Sequence, residues 1–385
     1  MKKTLMLLFF CICSAFLATG CEKKDINRLS IVSAVGIDKT DNGFAVTFQV
    51  VNDYVLSKIN RIDIAPVSIR KVEGMTVLET MTKTSNYITD KYFLYHFRIL
   101  AFGEDIAREG IQPFLNAFLN VDQTQHKYNI IVIEKGKAED ALKIHTTLDL
   151  IPGYAIEEKI RNSRDNFGLG LNFNLDQLLS LNVSPGSNFV LTSVRVDGDV
   201  EKGTKGDSSK SVNPEAYFVV SNFAVFKEDK LVGYFTEKES LGYQYIMNNI
   251  KKSIVTVVLD DESVLTIQVR KNSCSKKFVI ENGKPLVKIN CRVYGSVYED
   301  MSGMTKFTSA YMDEVITKTE YEVTKMIRDS ITRAQTEFNS DVFAFADDFH
   351  RYHPKFFRTI IDRYDEVFPE MAIDIKVKFH LERVR

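Results

Sequence analysis

An apolar run from Leu5 to Ala18, preceded by Lys2 and Lys3, ends in Leu17-Ala18-Thr19-Gly20-Cys21. A basic start followed by a short apolar stretch is an export signal, and the run is too short for a membrane span of roughly 20 residues. Small side chains before a cysteine let the peptide enter a signal peptidase. The Cys21 thiol can then accept diacylglycerol before cleavage after Gly20. Residues 1–20 are therefore expected to be a lipoprotein signal peptide and Cys21 the lipidation site. Two acyl chains, at about 0.8 kcal/mol per buried methylene, hold far better than one. Everything after Cys21 should fold outside the cytoplasm, on the outer face of the cytoplasmic membrane, since no later stretch is long and apolar enough to span.

The mature chain must fold in water. Hydrophobic residues make up 44% of the 385 and charged residues 26%, the balance of a folded chain. Its length suits two or three domains. The 50 Lys and Arg against 51 Asp and Glu leave no long-range field to recruit nucleic acid or anionic lipid, so binding must be argued locally.

Patterning predicts an α+β chain with mostly antiparallel mixed sheets and packed helices. Strands are expected at 28–38 and 43–52 around a Lys39-to-Gly43 turn, then at 67–71, 93–102, 128–134 and 188–196. Helices are expected at 75–85, from 103 through Phe118, and at 138–144, 156–161 and 175–181. Residues 197–213 carry almost no apolar side chain and cannot repay the entropy of ordering. They mark a domain boundary or a long exposed loop. The expected division is 21–199, with a further split open near 150, a flexible linker or loop at 200–213, and a C-terminal domain at 214–385.

The second half begins with a hairpin around Glu228-Asp229-Lys230. A second hairpin, Cys274 to Cys291, is centred on Asn282-Gly283, the strongest short-range hairpin signal. A two-residue turn there places Glu281 opposite Lys284, Phe278 opposite Val287, and Cys274 opposite Cys291 at a site without ladder hydrogen bonds. The two cysteines are then within disulfide reach, and they are the candidate disulfide. From Ser309 to Phe338 apolar residues recur at helical spacing, giving one long amphipathic helix that packs across its own sheet.

Catalytic patterns are missing. There is no metalloprotease helix, nucleophile elbow, P-loop or CxxC, so no catalytic, cofactor or metal residue is assigned. His350 and His353 are read as exposed side chains, and Asp197-Gly198-Asp199 as a solvated loop instead of a calcium site.

Four stretches, in order, resemble the Ger(x)C family, the lipoprotein C subunit of spore germinant receptors. They are Asp25 to Lys39 with its Gly36-Ile37-Asp38, Phe102 to Ile111, Glu239 to Tyr243, and Arg333-Ala334-Gln335 with Asp341 to Ala346, Pro354 and Phe368-Pro369. The chain departs from the family in Glu22, in having no Trp, in Ala344 and Ala346 where Gly is common, and in ending on Arg385. The resemblance implies a non-enzymatic subunit that works with a multi-spanning A subunit and a permease-like B subunit in the spore inner membrane. Its role would be coupling or scaffolding in nutrient-triggered germination, with direct nutrient contact left open. The rival expectation is a free-standing solute-binding or cell-wall-active lipoprotein. Within the motifs, Gly36 and Gly103 are expected in turns. Gln335 and Asp341 should cap or bridge the end of the long helix, and Phe343, Phe345 and Phe368 should lie in the core.

Overall fold

A computed structural model describes residues 29–52, 65–84, 86, 91–121, 124–147, 149–181, 186, 188–205, 211–301 and 308–384. The signal peptide and Cys21 lie outside the described residues.

The first sheet contains β1 (Leu29–Thr40), β2 (Gly43–Val51), β3 (Val67–Gly74), β4 (Lys91–Phe93), β5 (Ile99–Gly103), β6 (Asn129–Ile133), β7 (Val190–Gly198), β8 (Ala216–Lys227) and β9 (Lys230–Tyr234). Their order is β3-β2-β1-β5-β6-β7-β8-β9, with β4 parallel to the start of β1. The centre, β1-β5-β6-β7, is parallel, and the flanking pairs are antiparallel. Parallel strands are buried on both faces, which is why Ile99–Gly103 and Asn129–Ile133 are buried at every position. One face packs the aromatic core around Phe48, Phe102, Phe114 and Phe118. The other packs Ile131, Leu142 and Ile156.

The helices around this sheet are α1 (Val77–Thr84), α2 (Glu104–Glu109), α3 (Gln112–Leu119), α4 (Ala138–Lys143), α5 (Pro152–Phe167), α6 (Leu175–Leu181) and the single turn α7 (Val200–Gly203). The single helix expected after residue 103 is two. Gly110, at φ 135°, ends α2, and Pro113 sits in the first turn of α3. Likewise the strand expected at 93–102 is β4 and β5, interrupted at residues 94–98.

Residues 199–215 connect β7 to its antiparallel neighbour β8, where Gly198 faces Ala216. Most of the described residues of this connection are exposed, in keeping with its polar composition. The sheet continues past residue 214 through β8 and β9, and the second sheet begins only at Ser253.

That sheet runs β10 (Ser253–Val258), β11 (Val264–Glu281), β12 (Lys284–Asp300), β13 (Ala372–Val384), with β13 parallel to β12. Asn282 and Gly283 turn the long hairpin with φ of 51° and 77°, the conformation that an Asn-Gly pair supplies. α8 (Glu237–Ile246) links the two sheets. α9 (Ser309–Arg333) buries Val315, Val323, Met326, Ile327 and Ile331 and continues as a π-helical turn, Ala334–Phe338. The chain then forms α10 (Phe345–Tyr352), α11 (Pro354–Ile360) and α12 (Tyr364–Val367) before entering β13. Among the described residues no helix is long and apolar enough to cross a membrane.

Candidate functional site

Gly36 is not in a turn. It lies inside β1, where α4 crosses so closely that a Cβ would stand 2.9 Å from Ala138 Cβ. Two residues on, the buried Asp38 accepts the N–H groups of Ala138 at 2.6 Å and Glu139 at 2.8 Å, capping a helix 100 residues away. Burial pushes the Asp38 carboxyl above its ordinary value, against the pull of those two donors. Gly103, at the junction of β5 and α2, leaves the room that the Asp38 carboxylate occupies. Glu104 next to it accepts the Lys135 N–H at 2.6 Å, the Tyr234 hydroxyl at 2.9 Å and Arg108 at 2.6 Å. Burial opposes ionisation of Glu104, yet these donors together hold its carboxyl below the usual value.

A second cluster forms around the C-terminal end of α9. α8 opens with a capping box in which Thr236 and Glu239 satisfy each other's backbone, and Glu239 also takes Arg333 Nη1 at 2.8 Å. Ser240 Oγ accepts the Phe223 N–H at 3.1 Å. Gly242 is pressed against the backbone of Met326 and Ile327, leaving no room for a side chain between α8 and α9. Gln335 Nε2 bridges the carbonyls of Phe368 at 2.8 Å and Met371 at 2.9 Å.

Asp341, 1% exposed, accepts N–H groups from Phe343 at 3.1 Å, Phe345 at 3.2 Å and Ala346 at 2.8 Å, and the Tyr364 hydroxyl at 2.7 Å. It caps α10, not the end of α9. Burial raises its carboxyl despite the four donors. Phe343, Phe345 and Phe368 are all in the core.

Sequence reasoning passed over Lys276. It stands at an inward position of β11 opposite Ile289, and its ammonium reaches the Phe343 carbonyl and Asp348, both at 2.8 Å. A lysine at an apolar position of the strand alternation was the available signal. His353 is half-buried, not exposed. Its Nε2 lies 2.9 Å from the Phe278 carbonyl, so it covers the edge of β11.

The two clusters are joined. Tyr234 of β9 reaches Glu104, and the Asp229 backbone and carboxylate take the N–H groups of Ile111 at 3.0 Å and Gln112 at 3.1 Å. On the other side, Ser340 Oγ donates to the Phe226 carbonyl at 2.6 Å and the Asn188 N–H to that of Asp341 at 3.0 Å. The hairpin β8–β9 thus touches both clusters.

Cys274 stands directly opposite Cys291 in the register Glu281–Lys284, Phe278–Val287, with Cα atoms 4.0 Å apart and the sulfurs joined as a disulfide. Asn248 clasps the outer side of Cys274, accepting its N–H at 2.5 Å and donating to its carbonyl at 2.8 Å, as a neighbouring strand would.

Among the described residues no cluster of His, Cys, Asp and Glu could hold a metal. Asp197 pairs with Arg195 and Asp199 caps α7. A cavity of about 160 Å³ between α9 and β13 touches Gln335, whose Nε2 already donates to two carbonyls.

Residues 22–196 match the model of the spore germination protein N-terminal domain, and residues 221–385 match spore germination B3/GerAC like, C-terminal. The chain belongs to the Ger(x)C family. Spore germination protein KC of Bacillus subtilis (strain 168) is 23% identical to this Ger(x)C protein, over 100% of this chain and 96% of its own. Spore germination protein B3 of the same organism is 22% identical over 94% and 93%. The crystal structure of the GerBC protein matches with a TM-score of 0.58 and 18% identity, covering 91% of this chain and 97% of that one, which shows a shared fold. The two matched regions leave residues 197–220 between them, a stretch that contains the whole β7–β8 connection and the first residues of β8. Most of the hairpin that completes the first sheet is therefore supplied by the C-terminal family region.

Proposed function

We propose that this Ger(x)C protein is the lipid-anchored C subunit of a nutrient germinant receptor, acting as a scaffold or coupler and not as an enzyme. The observation that carries the reading is the junction itself. The family's motif residues are spent on helix caps and on contacts that join two sheets through one hairpin, an arrangement suited to holding a fixed shape between partners. Membership of a family of spore germination proteins supports the setting. In this reading diacylglycerol on Cys21 is the sole covalent lipid, and no cofactor is needed. The protein faces outward from the cytoplasmic membrane that becomes the spore inner membrane, beside A-type and B-type membrane subunits, with Cys274 and Cys291 oxidised.

The test is made on sporulating cells carrying Cys21→Ala. Palmitate labelling and membrane retention should both be lost, and affinity capture of the wild-type protein should bring down the two membrane subunits. Spores lacking the protein should fail with nutrients and still respond to calcium dipicolinate. A labelled, membrane-bound Cys21→Ala protein would refute the anchor. Equal failure with both triggers would refute the coupling role.

A further inference from the structure

The second sheet packs one face on α9 and leaves the other open. On the open face the register lines cations up in rows. Lys277 of β11 stands opposite Lys288 of β12, Arg292 lies between Ser273 and Lys378, and Lys376 lies beside Asn290. Lys271 adjoins Tyr294, whose ring stacks on His380 at 4.8 Å. Among the acids of this face, Glu281 pairs with Lys288 at 2.9 Å and Asp374 is its neighbour on β13, while the exposed Glu299 stands opposite Thr266 at the far end and Glu382 lies past His380 near the end of β13. Lys271, Lys277, Arg292, Lys376 and Lys378 are exposed, and no described carboxylate lies within ion-pair distance of them. Ile254, Val258 and Val264 are exposed at the far end of the same face.

Like charges directly opposed across strands destabilise a sheet. The chain as a whole is balanced, 50 cations to 51 acids, so this row is a local segregation that overall charge conceals. An anionic counter-surface would relieve the repulsion. We propose that the open face of the second sheet docks on an anionic phospholipid surface, its cations on the phosphates and its apolar end at the headgroup boundary. Charge complementarity is one argument. The tether is the other, and it rests on the lipid-anchored reading above. Leu29 opens β1 eight residues after Cys21, so the start of β1 stays within about 28 Å of the lipid even at full extension.

The experiment reconstitutes the full lipoprotein on vesicles of phosphatidylcholine alone or with about 30% phosphatidylglycerol, and reads lysine acetylation by mass spectrometry. Labelling of Lys271, Lys277, Lys376 and Lys378 should fall about fivefold on the anionic vesicles at about 0.1 M salt and recover near 0.5 M, where screening is stronger. The triple variant Lys277→Glu, Lys376→Glu, Lys378→Glu should keep its melting temperature and lose the protection of Lys271. Equal labelling on both vesicles, with protein still floating on phosphatidylcholine at high salt, would overturn the docking face and leave the anchor standing. Protein that fails to float on phosphatidylcholine yet is protected on phosphatidylglycerol would overturn the anchor and leave the face. Protection by soluble polyglutamate and not by anionic vesicles would overturn the lipid assignment.

Discussion

Asp38 in the first sheet caps a helix 100 residues downstream, whereas Asp341 beside the second caps one that begins four residues later. Both carboxylates are buried, both receive backbone N–H groups at a helix start, and burial raises both. They differ in how far the chain travels between donor and acceptor. The first sheet is assembled from distant segments, with a parallel centre that local sequence cannot pair. The second is built mainly from neighbours: a tight hairpin, one long helix and a cap within a single turn. The hairpin β8–β9 and α8 tie one mode of construction to the other.

The largest perturbation asks whether that tie makes the sheets one cooperative unit. Ile327→Asp places a charge on the fully buried stripe of α9, at a cost of about 4 kcal/mol or more. Lys325→Asp, on the exposed side, should cost about 0.5 kcal/mol. Calorimetry should give one lowered transition for Ile327→Asp. Two transitions, with the first sheet unmoved, would mean that the local and the long-range halves melt apart.

Next come the caps. Asp341→Ala strands three N–H groups and a hydroxyl and should cost about 3 to 4 kcal/mol, while Asp38→Ala strands two N–H groups and should cost about 2 kcal/mol. Urea midpoints measure both. Equal losses would mean that the distance spanned, and not the number of donors left unpaired, sets the worth of each cap.

The smallest effect is in pH. Because each folded carboxyl titrates above its unfolded value of about 3.9, the folded state takes up protons first as pH falls. The stability contributed is therefore greatest below that value and is lost as pH rises through the folded one. The gap between wild type and Asp341→Asn, and likewise that between wild type and Asp38→Asn, should widen from pH 7 toward pH 4. Thermal melts across that range check the sign. A gap that narrows on acidification would mean that the N–H donors outweigh burial.

Legibility in the chain divides in the same way. Asn282-Gly283 set the register of β11 and β12 because a two-residue turn leaves one way to count outward, and the stripe from Met312 to Phe338 announced α9. Gly36 misled because a glycine needed for close helix approach and a glycine needed for a turn look alike in sequence. Lys276 was hidden for a related reason: its partner, the Phe343 carbonyl, is a backbone group supplied 67 residues away. The membership of β8 and β9 in the first sheet was equally invisible, since the polar segment before them resembles a boundary.

Gly242 has a mechanical meaning. With only a hydrogen atom between α8 and the backbone of α9, and with Arg333 pinned to Glu239 at one end, the two helices meet with almost no play. α8 begins three residues after β9 ends, so a push delivered through that strand reaches the long helix with little lost motion. Any side chain at residue 242 would act as a shim, forcing the helices apart and putting slack into a joint that is now stiff.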